Sequence, residues 1–127
     1  MTKILVVDDD KESRDLLSEV LAMNGYSVGV VESIEAARAA LSQDAEYRIV
    51  IADLRMPNGG GLELLESLRR EHSGHEIVLM SSFMSASERK AALALGADAL
   101  LDKPFQISEL LDVVAGLVRE KGLPVRT

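Results

Sequence analysis

The chain has 127 residues, a length that suits one globular domain. Its formal net charge of −7 argues against direct binding to nucleic acid or to anionic lipid, because both are negatively charged. The absence of cysteine excludes disulfide bonds and thiolate metal sites, and no apolar run approaches the roughly 20 residues that span a membrane.

Five short apolar runs predict five buried β-strands, and segments with apolar residues at helical spacing separate them. The first run begins at Ile4, which leaves no room for a signal peptide, so we expect a cytoplasmic protein. The predicted strands are residues 4–7, 28–31, 49–52, 77–80 and 99–101. The predicted helices are residues 11–24, 34–41, 62–68, 85–95 and 107–118.

This alternation of strand and helix predicts an α/β fold in which helices cover both faces of a parallel sheet and right-handed crossovers join the strands. The usual solution for five such units is the doubly wound, flavodoxin-like (βα)5 arrangement with strand order 2-1-3-4-5. Residues 1–121 are predicted to form this domain. Gly122 is predicted to end the last helix, and residues 122–127 to be a C-terminal tail or the start of a linker.

Polar residues stand at the carboxyl ends of four predicted strands, the edge at which open α/β sheets bind ligands. Asp8 and Asp9 follow the first strand, Asp53 the third, Ser81 the fourth and Lys103 the fifth. Strands one and three are neighbours in the predicted order, so three carboxylates converge. Two like charges about 4 Å apart repel by about 4 kcal/mol at an effective dielectric constant of 20, and a divalent cation or a lysine relieves this. Hard oxygen ligands favour Mg²⁺, and a carboxylate beside a metal ion and a lysine can attack phosphorus.

Taken together, these residues resemble the receiver domain of bacterial two-component response regulators, over about residues 4–118. The spacing from Ser81 to Lys103 fits the family pattern without a gap, which favours Ser81 over Ser82 as the family's hydroxyl residue. The matching motifs are Asp8-Asp9 after Ile-Leu-Val-Val, Asp53 with Met56-Pro57, Gly61-Leu62-Glu63-Leu64, Ser81, Gly96-Ala97 and Lys103-Pro104-Phe105.

The resemblance implies that Asp53 is a phosphoacceptor that takes a phosphoryl group from a phosphohistidine. Lys103 and the Ser81 hydroxyl would hold the phosphoryl oxygens, and catalysis would be limited to the protein's own phosphorylation and dephosphorylation. The implied donor is a sensor histidine kinase or a histidine phosphotransfer protein. The implied output is an effector domain, a protein partner or a phosphorylation-dependent homodimer, reached through the surface of the fourth helix, fifth strand and fifth helix.

The resemblance also implies a site for Mg²⁺, with Mn²⁺ as its substitute. Asp9, Asp53 and the backbone carbonyl of Arg55 would bind the ion directly. Asp8 would act largely through metal-bound water. No other cofactor is implied.

Three features depart from the family pattern. Leu100 stands where the family usually has an aromatic residue that moves with the hydroxyl, so we expect a weaker form of that switch. Gly60 stands where an acidic residue usually caps the third helix, a loss of roughly a few tenths of a kcal/mol. Arg55 and Phe83 occupy the two positions that tune self-dephosphorylation in the family, and both are bulky.

The residues by themselves leave other functions open. A receiver-shaped interaction module that works without phosphorylation is the main alternative, although the full set of acidic pair, acceptor, hydroxyl and lysine argues against it. An Asp-x-Asp phosphatase is remote, because Glu12 stands where Thr or Val is expected and there is no room for a cap domain. A flavin or dinucleotide fold needs a glycine- or hydroxyl-rich loop after the first strand, whereas the three aspartates found there would repel a bound phosphate. A Ca²⁺ loop starting at Asp8 fails because Ser13 stands where it requires glycine. His72 and His75 are interpreted as solvated residues rather than metal ligands.

Overall fold

The computed structural model describes residues 2–57 and 59–121, in which five parallel strands form one sheet in the order β2-β1-β3-β4-β5. The strands are β1 Lys3–Val7, β2 Ser27–Val31, β3 Tyr47–Asp53, β4 Glu76–Ser81 and β5 Ala99–Asp102. The helices are α1 Lys11–Met23, α2 Ile34–Gln43, α3 Gly61–Arg70, α4 Ala86–Ala94 and α5 Ile107–Lys121. This order confirms the predicted fold. The predicted helix end and tail at residues 122–127 lie outside the described residues, and none of the described helices could cross a membrane.

Each face of the sheet has its own hydrophobic core, which explains why the strands are apolar on both sides. Along β3, Ile49 and Ile51 belong to a core that includes buried residues of α1 and α5. Val50 and Ala52 belong to a second core, with buried residues of α2, α3 and α4. Because both faces are covered, polar residues of the sheet are confined to the strand ends, where the candidate site lies.

The start of α3 packs directly against the end of β3. A β-carbon built at Gly60 would lie 1.7 Å from Leu54 O, and one built at Gly61 would lie 2.9 Å from Asp53 O. Gly60 is the N-cap of α3 and makes no side-chain cap bond, which confirms the predicted loss of a cap. The close approach of two backbone segments therefore explains why glycine stands at position 60, since any side chain would collide with Leu54.

At the amino ends of the strands, Arg69 of α3 joins three segments of the chain. Its guanidinium donates to His75 O at 2.7 Å, to Gly96 O at 2.8 Å and to Asp98 Oδ2 at 2.9 Å. The same Asp98 oxygen accepts from Ile77 N at 2.7 Å. We call these five residues the Arg69–Asp98 cluster. Within it, one cation is matched to one carboxylate, and the other guanidinium bonds go to backbone carbonyls.

His75, which belongs to this cluster, corrects one sequence-based interpretation. It is half-buried rather than solvated, and within the described part of the chain its Nδ1 is buried without a hydrogen-bond partner. Burial is the main reason that the pKa of the imidazole lies below its ordinary value, and the charges of Arg48 and Arg69 lower it further. The residue directly precedes β4, and Arg69 holds its carbonyl at the sheet. His72 is exposed, as expected.

Candidate functional site

The register of the sheet brings the predicted acidic residues to one edge. Val7 pairs with Ala52 across β1 and β3, so Asp8 and Asp53, the next residue of each segment, lie side by side. Lys103 directly follows β5 and reaches this edge from the far side of β4. The fold thus places these three residues together, as the order of the strands predicted.

Lys103 lies between the two carboxylates. Its Nζ donates to Asp53 Oδ2 at 2.7 Å and to Asp8 Oδ2 at 3.2 Å. The second oxygen of each carboxylate is also bonded: Asp8 Oδ1 accepts from Asp10 N at 3.0 Å, and Asp53 Oδ1 accepts from Arg55 N at 2.9 Å. We call Asp8, Asp53 and Lys103 the Lys103 cluster.

The Lys103 cluster carries more negative than positive charge. Burial alone would lower the pKa of Lys103, but the hydrogen bonds and charges of Asp53 and Asp8 outweigh burial and raise it above its ordinary value. The lysine is therefore a cation at neutral pH. Asp9, which is exposed and follows Asp8 in the chain, adds a third carboxylate. The three carboxylates and the one ammonium group together leave two negative charges uncompensated.

The donor atoms at this edge fit a small divalent cation. Carboxylate oxygens are hard ligands, and two uncompensated negative charges match the charge of Mg²⁺. Among residues 2–57 and 59–121, no three acidic, histidine or cysteine side chains are already arranged as a metal site. Lys103 instead contacts one oxygen each of Asp8 and Asp53. The ligand set predicted from the sequence stays a prediction.

Ser81, the last residue of β4, is buried but turned toward the loop that follows. Its Oγ donates to Phe83 O at 2.6 Å and accepts from Phe83 N at 3.2 Å. Its backbone carbonyl accepts from Lys103 N at 2.7 Å, so Ser81 lies next to the Lys103 cluster through the main chain. Among the described residues, its hydroxyl proton is bonded to the loop and not to the cluster.

Leu100 and Phe83, two of the predicted departures from the family pattern, differ in their environment. Leu100 in β5 is partly buried and packs against the core that contains Met84 and Ala92. Phe83 is 66% exposed, so its ring stands largely in solvent after β4. Leu100, which has no ring, therefore lies on the side of the sheet that α4 covers, and this is where the switch residue was expected.

Glu88 is a residue of this region that the sequence analysis did not assign. Its Oε1 accepts from Arg55 Nη2 at 2.6 Å and from Ser85 N at 3.0 Å. Ser85 Oγ in turn accepts from Glu88 N at 3.1 Å, which completes a capping box at the start of α4. The pattern Ser-x-x-Glu at residues 85–88 is a sequence signal for such a box. No comparable signal links Glu88 to Arg55, which lies 33 residues earlier in the chain.

Comparison with known proteins gives a family match over most of the chain. Residues 4–115 match the family model described as the response regulator receiver domain. The chain is 36% identical over 119 residues to the transcriptional regulatory protein CpxR of Klebsiella pneumoniae, covering 94% of this chain and 50% of that protein. It is 38% identical over 117 residues to the response regulator MprA of Mycolicibacterium vanbaalenii, covering 92% and 50%. The chain thus spans about half the length of these relatives.

A solved structure gives the same result for the fold. The response regulator protein TrrA of Thermotoga maritima, solved in complex with Mg²⁺ and BeF, is 33% identical and has a TM-score of 0.82 to this structure. The match covers 92% of this chain and 99% of that chain.

Proposed function

The chain belongs to the receiver-domain family of response regulators, and from this premise we propose that Asp53 accepts a phosphoryl group from a phosphohistidine. The observation that carries the proposal is the position of Asp53 at the end of β3, with its Oδ2 2.7 Å from Lys103 Nζ. Asp8 contacts the same lysine but is fully buried, whereas the Asp53 side chain is 13% exposed. A donor can therefore reach Asp53 and not Asp8.

The chemistry asked of these residues is mainly positioning and charge neutralisation, as is general for phosphoryl transfer. A carboxylate oxygen of Asp53 forms a bond to phosphorus while the bond from phosphorus to the donor nitrogen breaks. Lys103 neutralises charge on the incoming phosphoryl oxygens, and the backbone N–H of Arg55 orients the carboxylate at 2.9 Å. The same residues serve the later hydrolysis of the acyl phosphate, in which a water oxygen forms a bond to phosphorus while the bond from phosphorus to the Asp53 oxygen breaks.

We propose that the site uses Mg²⁺, or Mn²⁺ in its place. Asp9, Asp53 and the backbone carbonyl of Arg55 would bind the ion directly, and Asp8 would act through its water shell. When bound, such an ion supplies positive charge to the phosphoryl oxygens. Support comes from the two uncompensated negative charges at this edge and from the Mg²⁺ and BeF bound in the similar protein TrrA.

Labelling with a small phosphodonor tests the assignment of Asp53. Incubation with acetyl phosphate and Mg²⁺ should add the mass of one phosphoryl group, and hydroxylamine should remove it. Asp53→Asn should abolish the label. Asp102→Asn is the matched control, since Asp102 also ends a strand but pairs with Arg89 outside the Lys103 cluster. Undiminished labelling of Asp53→Asn would falsify the assignment and favour an interaction module that works without phosphorylation.

We propose that the donor is a cytoplasmic sensor histidine kinase or a histidine phosphotransfer protein. An apolar groove between α1 and the start of α5 lies beside Lys103 and is lined in part by Leu16, Val20 and Ile107. Leu16 is 54% exposed and Ile107 is 46% exposed, which suits an apolar helix of a partner. Leu16→Glu should slow labelling by a phosphohistidine protein and leave labelling by acetyl phosphate unchanged. Equal slowing with both donors would contradict this docking surface.

We propose that the signal leaves through the surface of α4, β5 and α5, toward an effector domain, another protein or a second copy of the chain. A phosphoryl group on Asp53 needs hydrogen-bond donors, and Ser81 can supply its hydroxyl only by releasing Phe83 O. Residues 82–85 would then move. Beryllofluoride, which mimics the phosphoryl group, should shift NMR signals of α4 and β5, and Leu100→Tyr should enlarge the shifts. Shifts confined to the loops around Asp9 and Asp53 would contradict this route.

A further inference from the structure

The geometry points to a further positioning residue: we propose that Glu88 competes with the phosphoryl group on Asp53 for the guanidinium of Arg55. The proposal rests on the proposed role of Asp53 as the acceptor and adds a residue to it. Glu88 touches neither the acceptor nor Lys103 in the contacts described above, and it acts through Arg55.

Arg55 is attached to the acceptor at one end and to α4 at the other. Its backbone N donates to Asp53 Oδ1 at 2.9 Å, while its Nη2 donates to Glu88 Oε1 at 2.6 Å. The Cα of Arg55 is bonded to that same backbone nitrogen, so the side chain starts beside the acceptor carboxylate. The Arg55 side chain is 54% exposed and therefore free to turn. One cation thus lies within reach of two anionic positions.

Glu88 is fixed where it meets Arg55. Its Oε1 accepts from Ser85 N, and its own N donates to Ser85 Oγ, so the capping box anchors both its side chain and its backbone. The backbone N–H of Ser85 is the main reason that the pKa of Glu88 lies below its ordinary value, and Arg55 adds to this shift. Glu88 is therefore a charged and stationary partner at the start of α4.

Phosphorylation introduces a stronger competitor for the same guanidinium. A phosphoryl group carries a charge of about −2 and three acceptor oxygens, whereas Glu88 offers one negative charge. If Arg55 turns to the phosphoryl group, it gives up Glu88, and by thermodynamic reciprocity a weaker pair with Glu88 favours the phosphorylated state. Exposed ion pairs couple weakly, so the expected change in affinity is about two- to fivefold.

The exchange would change α4 without unfolding its first turn. The capping box uses Ser85 and Glu88 alone, so α4 keeps its cap when Arg55 leaves. What α4 loses is its tether to the loop that follows Asp53. The state of the acceptor would thereby reach α4 by a route separate from the Ser81 hydroxyl.

The test is the affinity for beryllofluoride in the presence of Mg²⁺, measured on the full chain by ¹⁹F NMR. Glu88→Gln removes the charge and keeps the capping box, because the Gln oxygen can still accept from Ser85 N. It should bind beryllofluoride about two- to fivefold more tightly than wild type. Glu109→Gln is the matched control, since Glu109 accepts from Gln106 N at 3.3 Å at the start of α5 and undergoes the same change in charge. It should bind like wild type.

The outcomes separate this inference from the proposed function. If wild type does not bind beryllofluoride, the phosphoacceptor proposal itself fails. If wild type binds beryllofluoride and Glu88→Gln binds it no more tightly, competition for Arg55 is ruled out. It is also ruled out if Glu88→Gln raises the affinity for beryllofluoride by the same factor in a chain that already carries Arg55→Gln. A second measurement needs no variant: the ¹³C carboxyl resonance of Glu88 should shift when wild type is saturated with beryllofluoride, and an unmoved resonance overturns the proposal.

Discussion

A cluster at each end of the strands holds a cation bonded to carboxylate oxygen, but the charges balance in only one of the two clusters. At the amino edge, Arg69 meets one carboxylate, Asp98, and two backbone carbonyls. At the carboxyl edge, Lys103 meets Asp8 and Asp53, with Asp9 adjoining. In the first cluster the one cation is matched by one carboxylate, so we expect it to stabilise the fold. The second has a surplus of negative charge, and that surplus, rather than the ion pair, is what makes it the candidate binding site.

The largest expected effect is on stability at the balanced edge. Asp98→Ala leaves Arg69 without its anion and Ile77 N without an acceptor. Because Asp98 is mostly buried, the free energy of unfolding should fall by about 2–4 kcal/mol. Urea denaturation in EDTA measures this. A loss well under 1 kcal/mol would mean that the amino edge is not held by its charges.

The next effect should appear only at the unbalanced edge. Mg²⁺ at about ten times its Kd should add about 1.4 kcal/mol to the free energy of unfolding, because it binds the folded state. The melting temperature should therefore rise with Mg²⁺ concentration. Asp9→Ala should abolish the rise, whereas Asp98→Ala should keep it on a lower baseline. If Asp9→Ala retains the wild-type Mg²⁺ affinity, Asp9 is not a ligand.

Removing a carboxylate of the Lys103 cluster should have a smaller effect, and one opposite in sign to that of Asp98→Ala. Asp53→Ala without Mg²⁺ should leave the free energy of unfolding unchanged or raise it by about 1 kcal/mol, because repulsion with Asp8 is relieved while Lys103 keeps one partner. The measurement is the same urea series in EDTA that serves Asp98→Ala. Should the two alanine variants lose equal stability, the contrast between the two edges would be wrong.

The smallest effect concerns acid sensitivity at the balanced edge. Burial, with the charges of Arg48 and Arg69, places the folded-state pKa of His75 below its unfolded value. The unfolded chain then binds the proton more readily, so this contribution to stability is present above about pH 6.5 and is lost as the pH falls through the folded-state pKa. His75→Gln should lose less stability than wild type between pH 7 and pH 5. His72→Gln, at an exposed position, serves as the control and should fall like wild type.

Much of the architecture was predictable because burial on both faces forces the strands to be apolar and sends polar residues to their ends. The strand order and the meeting of Asp8, Asp53 and Lys103 follow from that pattern. The direction of the Ser81 hydroxyl was not predictable, since it depends on a turn that brings the Phe83 carbonyl within 2.6 Å.

Contacts between distant segments were also beyond the sequence pattern. The Arg55–Glu88 pair and the Arg69–Asp98 pair join exposed-looking charges that lie 33 and 29 residues apart. Charged residues of this kind occur throughout the chain, and only the fold selects which of them meet. His75 was misjudged for a related reason, because the sequence pattern does not show its burial or its approach to Arg48 of β3.

The contact of Gly60 and Gly61 with the end of β3 has a mechanical consequence. Backbone lies against backbone there, so no side chain can rotate to absorb a displacement. On the opposite side of Asp53, the Ser81 hydroxyl bonds to Phe83 O and the Arg55 side chain bonds to Glu88, and both of these hydrogen bonds can be exchanged for others. Asp53 thus has a stiff support toward α3 and a more compliant one toward α4. We therefore expect a displacement at Asp53 to move the start of α4 more than the start of α3.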